Sequence, residues 1–156
     1  MKHLTSIAAG ALLGLTALAG PALAQGSNNS LTIVREVDSD RYDPHRSTAR
    51  AASEVIFMMA DTLVSLDHDM STIKPGLATS WTMSPDGKTY TFKLRPGVKF
   101  HSGNPLTAAD VVYSFQRAVT LNKSPGFILA QFGFTKDNVT EKVKATDDST
   151  LVITVS

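Results

Sequence analysis

Three acidic residues alternate near the start of the chain, and their side chains could bind a cation. Glu36, Asp38 and Asp40 occupy every second position after a short β-branched run. Carboxylates in such a segment could hold a cationic group of a ligand, or they could simply keep a surface loop solvated. Spacing alone leaves both interpretations open, so the segment is a candidate binding loop.

A second polar group, Asp67-His68-Asp69, contains donor atoms that a cation could use. Three neighbouring residues in a turn seldom converge on one ion, so a solvated turn is the simpler interpretation. His45 and His101 lie far from this group along the chain, and no pair of histidines has the spacing of metal ligands. The sequence therefore predicts no metal site.

Catalytic signatures are missing from the sequence. It contains no P-loop, no G-x-G-x-x-G after a strand, no H-E-x-x-H and no G-x-S-x-G elbow. It also contains no cysteine, which excludes disulfides, thiolate metal sites and a cysteine nucleophile. The sequence therefore predicts a protein that is not an enzyme and that carries no cofactor.

The first 24 residues have the form of a cleavable secretory signal. Lys2 supplies a positive charge, Leu4 to Ala19 is apolar, and Pro21 precedes Ala22-Leu23-Ala24, the small-x-small pattern of a cleavage site. The apolar stretch is shorter than a spanning helix, which needs about 20 strongly apolar residues. We predict export with cleavage near Ala24 and, because no cysteine can carry a lipid, a product without a membrane anchor.

The charge balance bears on the partners of the exported product. The chain has 15 Lys and Arg against 14 Asp and Glu, and loss of Lys2 with the signal leaves equal numbers. A formally neutral protein has no electrostatic tendency to bind nucleic acid or anionic membrane. The sequence therefore predicts neither partner.

Periodicity indicates which elements would position the candidate loop. Leu31 to Val34 predicts a strand, and Arg35 to Arg46 predicts a loop that contains an Asp-Pro step. Apolar residues at helical spacing then predict a helix, and they are Ala52, Val55, Ile56, Met59 and Leu63. We expect Met58 and Met59 to fill the core, because methionine packs well into irregular gaps.

A hairpin and a second amphipathic helix are predicted downstream. The turn signal Ser84-Pro85-Asp86-Gly87 separates a strand at Trp81 from an alternating strand at Thr89 to Leu94. Trp81 is expected to be an aromatic anchor across this hairpin. Thr107-Ala108-Ala109-Asp110 has the form of a capping box, with Asp in place of the usual Glu.

A second hairpin is predicted at the end of the sequence. Val139 to Ala145 would pair with Thr150 to Val155 across a polar turn. A final strand of this kind would leave unpaired edges, which is unfavourable for an isolated domain. This pattern predicts that the given sequence is cut short.

Several motifs occur together between Leu63 and Val119. They are Lys74–Ala78 leading to Trp81, Ser84–Phe92 with Leu94-Arg95, Val98–Gly103, and Leu106–Ser114. With these motifs the chain resembles the family 5 extracellular solute-binding proteins, the dipeptide and oligopeptide receptors of ABC importers. Asp43-Pro44-His45 and the hairpin at Val143 to Val155 also resemble segments of that family.

The resemblance implies a fold and a division of the chain. The fold class would be α/β (mixed α+β), the N-terminal part of a two-lobed periplasmic-binding-protein fold with β-hairpins and two amphipathic helices. After a signal peptide at 1–24, residues 25–44 would form the first strand and loop of lobe one. Residues 45–156 would form an incomplete accessory subdomain of lobe one, with the second lobe absent.

The resemblance also implies a function and candidate site residues. The protein would be a monomeric periplasmic substrate-binding component that delivers a peptide or similar small solute to an inner-membrane ABC permease. Glu36, Val37 and Asp38 match ligand-contacting loop positions, whereas the carboxylate that usually holds a peptide's amino terminus lies outside this sequence. The alternatives are an opine, a metal chelate or a sugar as ligand, a receptor for a membrane sensor and, less favoured, an exported hydrolase.

Overall fold

The computed structural model describes residues 32–156, so the predicted signal at 1–24 lies outside the described residues. Residues Arg35–Ser156 form one structural unit, and its antiparallel sheets and helices confirm the predicted mixed α+β class. The elements of the described residues are α1 (Arg50–Met59), β1 (Val64–Leu66), β2 (Ile73–Pro75), β3 (Ala78–Met83), β4 (Thr89–Leu94), α2 (Ala108–Leu121), α3 (Ser124–Ala130), α4 (Val139–Lys142), β5 (Val143–Asp147) and β6 (Thr150–Thr154). Among them, no helix is long and apolar enough to span a bilayer.

The strand predicted before the candidate loop is not formed at its described positions. Thr32, Ile33 and Val34 belong to neither of the two described sheets. β-branched residues favour an extended backbone, but a strand also needs a neighbour with which to exchange hydrogen bonds. The predicted loop at Arg35 to Arg46 is confirmed, because it contains only turns and bends.

The first predicted helix is confirmed as α1, although it ends before Leu63. The prediction that its methionines fill the core is wrong, because Met58 is 71% exposed and Met59 is 49% exposed. Helical spacing identifies an apolar face but does not reveal whether another element covers it. In this structure both side chains line an open cavity.

The larger sheet is antiparallel, with the strand order β3-β4-β6-β5. Both predicted hairpins are confirmed, and Trp81 lies opposite Phe92 across the first of them. The prediction of unpaired edges on the final strand is wrong, because β6 lies between β4 and β5. Local periodicity could not show this arrangement, since it requires Phe92 to meet Leu151 from a distant part of the chain.

The prediction that Val139 to Lys142 continues a strand is also wrong, because these residues form the short helix α4. The Asn138 side chain accepts a hydrogen bond from the Thr135 backbone N–H at 2.9 Å, which favours a turn at this point. The Val139 N–H then donates to the Thr135 carbonyl at 3.0 Å. The helical turn buries Val139 completely in the core.

Helix α2 packs on the sheet and is held at its start by a side-chain cap. The backbone N–H and the hydroxyl of Thr107 both donate to the Asp110 carboxylate, at 2.8 and 2.9 Å, which confirms that Asp can replace Glu in the capping box. Phe115 on α2 meets Phe134 edge to face, with ring centroids 4.9 Å apart. The buried core cluster beside them is Val119, Phe134, Val139, Val143, Leu151 and Ile153.

Gly76 makes the close backbone approach that joins β2 to the segment before β1. A Cβ atom at this position would lie 2.4 Å from the Thr62 carbonyl oxygen and 3.0 Å from that of Leu63. We therefore expect Gly76→Ala to lower the free energy of unfolding by about 1–3 kcal/mol, the usual cost of overpacking. Urea unfolding followed by circular dichroism would measure this loss.

The matched control is Ser80→Ala, at an exposed site on β3 whose side chain makes no hydrogen bond among the described residues. We expect it to change the free energy of unfolding by less than about 0.5 kcal/mol. Equal stability of Gly76→Ala and the unsubstituted protein would contradict the steric argument.

Candidate functional site

Four polar side chains join the end of the candidate loop to α2. Asp43 and Arg117 form a two-pronged ion pair, with Arg117 Nη2 2.8 Å from Asp43 Oδ2 and Nη1 3.1 Å from Oδ1. Arg117 Nη1 also donates to His45 Nδ1, and His45 Nε2 lies 2.8 Å from Ser114 Oγ. Asp43, His45, Ser114 and Arg117 are called the anchor cluster below.

The hydrogen bonds of the anchor cluster determine the tautomer of His45. A guanidinium can only donate, so Nδ1 of the imidazole must be the acceptor. The proton of the neutral ring therefore lies on Nε2, which donates to Ser114 Oγ. Burial and the neighbouring Arg117 charge lower the pKa of His45 below its ordinary value, and the Asp43 charge opposes them.

This tautomer also decides what the Ser114–His45 pair can do chemically. A serine hydroxyl 2.8 Å from an imidazole has the spacing of a nucleophile and its general base. A catalytic base must, however, present an unprotonated nitrogen to the hydroxyl. His45 presents a protonated Nε2, so the observed geometry is that of a structural hydrogen bond.

Asp43 is held as a carboxylate by its partners. The hydrogen bonds from Arg117 are the main cause that lowers its pKa to about 2, and the backbone N–H of His45 contributes at 2.9 Å. Asp43 also begins a turn, because its carbonyl oxygen accepts from the N–H groups of Arg46 and Ser47. One residue therefore fixes the local backbone and its attachment to α2.

The candidate loop, Arg35 to Tyr42, is attached to the structure at both ends. Arg35 donates to the Ala51 carbonyl at 2.6 Å and pairs with Glu54 at 3.2 Å, which ties the loop to α1. Near the other end the Ser47 hydroxyl donates to Asp40 at 2.9 Å and lowers the pKa of that carboxyl. The anchor cluster follows within a few residues.

The three residues predicted to contact ligand lie between these attachments. Glu36, Val37 and Asp38 are all exposed, and Val37 is 63% exposed despite its apolar side chain. Asp38 accepts a hydrogen bond from the N–H of Ser39 at 2.7 Å. None of the three lines the cavity beside Met58 and Met59. Their role in binding stays a prediction.

A cavity among the described residues has a volume of about 730 Å³. Its wall is mainly apolar, with Phe57, Met58, Met59, Phe100 and Phe115 among its residues. His45 and Ser114 of the anchor cluster provide a polar part of the same wall. The cavity therefore adjoins the cluster, although the predicted loop residues do not reach it.

The Asp67-His68-Asp69 group lies in the turn between β1 and β2, where protein donors use its carboxylates. Asp67 pairs with Lys74 at 2.7 Å, and this contact lowers the pKa of Asp67. Asp69 accepts from the backbone N–H groups of Ser71 and Thr72, both at 2.9 Å. In the described part of the chain no three such side chains are grouped as metal ligands.

The comparisons with known proteins agree with this fold. The family model for bacterial extracellular solute-binding proteins, family 5 Middle, matches residues 72–156. The chain belongs to this family.

Curated relatives are similar over most of the chain. The periplasmic oligopeptide-binding protein OppA of Escherichia coli is 36% identical over 138 residues, covering 80% of this chain and 25% of OppA. The probable deoxycholate-binding periplasmic protein YgiS of the same species is 34% identical, covering 76% of this chain and 24% of YgiS. The chain thus spans about a quarter of the length of these relatives.

The chain is also similar to a protein of solved structure. The Escherichia coli murein tripeptide binding protein MppA is 29% identical and covers 74% of this chain, with a TM-score of 0.65. The chain corresponds to 25% of the MppA chain. The described fold is therefore similar to one part of a larger periplasmic binding protein.

The anchor cluster leads to a prediction about acid stability. Asp43 has a lower pKa in the folded state than its ordinary 3.8, so its contribution to stability is complete above about pH 4 and is lost as the pH falls towards 2. We expect Asp43→Asn to lower the free energy of unfolding at neutral pH by about 1–2 kcal/mol. This deficit should shrink between pH 4 and pH 2, as measured by urea unfolding at each pH.

Asp137→Asn is the matched control, because Asp137 is exposed and forms no ion pair or side-chain hydrogen bond among the described residues. Its unfolding curve should follow that of the unsubstituted protein across the same pH range. A pH-independent deficit for Asp43→Asn would mean that the ion pair is not the source of the effect.

Proposed function

We propose that the chain is part of a periplasmic substrate-binding protein of an ABC importer, which captures a peptide or similar small solute and delivers it to the permease. The observation that carries this proposal is the family membership, together with the periplasmic peptide-binding relatives that match most of the chain. The role is binding and delivery, without chemistry on the ligand. The partners are the ligand and an inner-membrane permease.

The mechanism would be capture between two lobes. A ligand that binds the closed form more tightly shifts the population towards that form, which then docks on the permease. In this proposal residues 25–44 contribute the candidate loop of lobe one, and residues 45–156 form an accessory subdomain.

The candidate loop would supply this chain's contribution to the cleft. Glu36, Val37 and Asp38 are exposed between two fixed ends, so ligand contact there would require little reorganisation of the backbone. A carboxylate from this loop could contact a cationic group of a peptide, since a buried ligand charge needs a partner. The proposal assigns ligand contact to these three residues.

The proposed function also requires export to the periplasm. The N-terminal segment would direct the protein to the periplasm and be removed near Ala24, leaving a monomeric periplasmic protein. Periplasmic relatives support this compartment. The near-neutral charge supports the absence of nucleic acid and membrane surfaces among its partners.

A second class of ligand is favoured by one observation. YgiS, a probable deoxycholate-binding protein by its name, is almost as similar to this chain as OppA. An apolar organic solute is therefore a second candidate besides peptides. A receptor that passes its ligand to a membrane sensor would share every described feature. Neighbouring genes for a permease and an ATPase would favour transport, whereas a neighbouring kinase gene would favour sensing.

Calorimetry on the whole protein tests the proposed function. We expect saturable binding of short peptides, or of an apolar organic acid, and impaired uptake of that ligand when the gene is deleted. Panels of opines, metal chelates and sugars complete the test. The proposal is wrong if no panel member binds and deletion leaves uptake unchanged.

The loop assignment has its own test in the whole protein. Glu36→Gln and Asp38→Asn should each weaken the binding of a peptide with a cationic side chain roughly tenfold if that carboxylate contacts the cationic group, since hydrogen bonds to charged groups contribute about 1.5–3 kcal/mol. A matched peptide with a neutral side chain at that position should show a smaller difference. Asp137→Asn is the control, and unchanged affinity in both loop variants would refute the assignment.

A further inference from the structure

The anchor cluster has a property that solute capture does not require, because one of its members is a histidine, a side chain that can gain a proton and lose its acceptor. His45 is the central residue of the cluster, and it contacts Arg117 through one ring nitrogen and Ser114 through the other. The His45 side chain is about one-fifth exposed. The contacts seen in the structure are therefore those of a neutral, partly buried imidazole.

Protonation of His45 would remove its hydrogen bond with Arg117 and place a second positive charge beside that guanidinium. A doubly protonated ring has no acceptor for Arg117, so the hydrogen bond at Nδ1 would be replaced by two adjacent cations. Ser114 could keep its hydrogen bond, since Nε2 donates in both states. The attachment to Arg117 would be lost selectively.

The other charged groups near His45 determine whether this loss is compensated. Asp43 Oδ1 lies 3.8 Å from Nδ1 and would attract a protonated ring, but that carboxylate already receives both prongs of Arg117. On the cavity wall shared with His45, the titratable and charged side chains are Asp61, Lys99, His101 and Asp110. Of these, Asp110 is engaged by the cap of α2.

We propose that His45 and Arg117 are positioning residues for the candidate loop, and that protonation of His45 loosens the attachment of this loop to α2. The proposal rests on the proposed function only in assigning ligand contact to Glu36, Val37 and Asp38. The link between the cluster and the loop follows from the order of the chain. Asp43 comes directly after the candidate loop, and Asp40 of the loop accepts a hydrogen bond from Ser47. Movement of the turn that begins at Asp43 would displace the loop.

The direction of the pH effect follows from linkage. Burial, and then the Arg117 charge, lower the pKa of His45 in the folded state. The unfolded chain therefore takes up a proton first as the pH falls through the ordinary value of 6.5. The contribution of neutral His45 to stability is complete above that value and is lost below it, towards the lowered folded-state pKa.

Hydrogen exchange of the whole protein tests this inference without any ligand. Protection factors for the amides of His45, Arg46 and Ser47, which are hydrogen-bonded to Asp43, should be corrected for intrinsic exchange and compared with β6. They should fall roughly tenfold between about pH 7.5 and pH 5.5, the range in which histidines titrate. In His45→Gln the fall should disappear, since the glutamine amide can accept from Arg117 and donate to Ser114 without titrating. His68→Gln, at an exposed turn, is the matched control and should retain the fall.

Two further readouts make the test decisive. If His45→Gln does not fold, ¹⁵N-histidine NMR of the unsubstituted protein should find the Nε2–H tautomer of His45 at about pH 7.5, and an Nδ1–H tautomer would overturn the proposal. A pH-independent protection of the amides of residues 45–47, or the same fall in His45→Gln, would overturn it as well. Ligand affinity should be lower at the pH at which protection is lower. Absence of ligand binding at both pH values would refute the proposed function. In that case the exchange result alone would decide this inference.

Discussion

The ion pair between Asp43 and Arg117 is the interaction on which the candidate site depends. It joins two parts of the chain that are 74 residues apart, and it is strong for a partly exposed pair because the geometry is two-pronged. The carboxylate also begins the turn after the candidate loop, so a single side chain couples the loop to α2. Removing the pair would leave the loop attached mainly through Arg35 and Asp40.

Helix α2 can serve as this attachment point because it is itself firmly positioned. The Thr107–Asp110 cap fixes where the helix begins, and Phe115 and Val119 pack into the core beside the sheet. Ser114 and Arg117 lie three residues apart, so they share a helical face and reach the same turn. The motif that identifies the family therefore builds the support of the candidate site rather than the ligand contacts.

Much of the local structure could be predicted from the sequence, because capping boxes, turn signals and alternation act over a few residues. The hairpin at Trp81 and the start of α2 are examples. The anchor cluster could not be found in this way, since nothing local connects Asp43 and His45 with Ser114 and Arg117. The prediction that Met58 and Met59 fill the core is wrong for a related reason, because exposure depends on which other elements cover a helical face. Residues 36–38 are exposed in a segment without helix or strand, and their contact with ligand stays a prediction.

The central position of β6 has a consequence for how the chain acquires its structure. The hairpin of β3 and β4 can form early because its strands are close in sequence, but β4 finds its other neighbour only after β6 is available, about 60 residues later. Until then the outer edge of β4 presents unsatisfied backbone groups that could pair with another molecule. The interval between the emergence of these two strands is therefore the period of greatest exposure to aggregation.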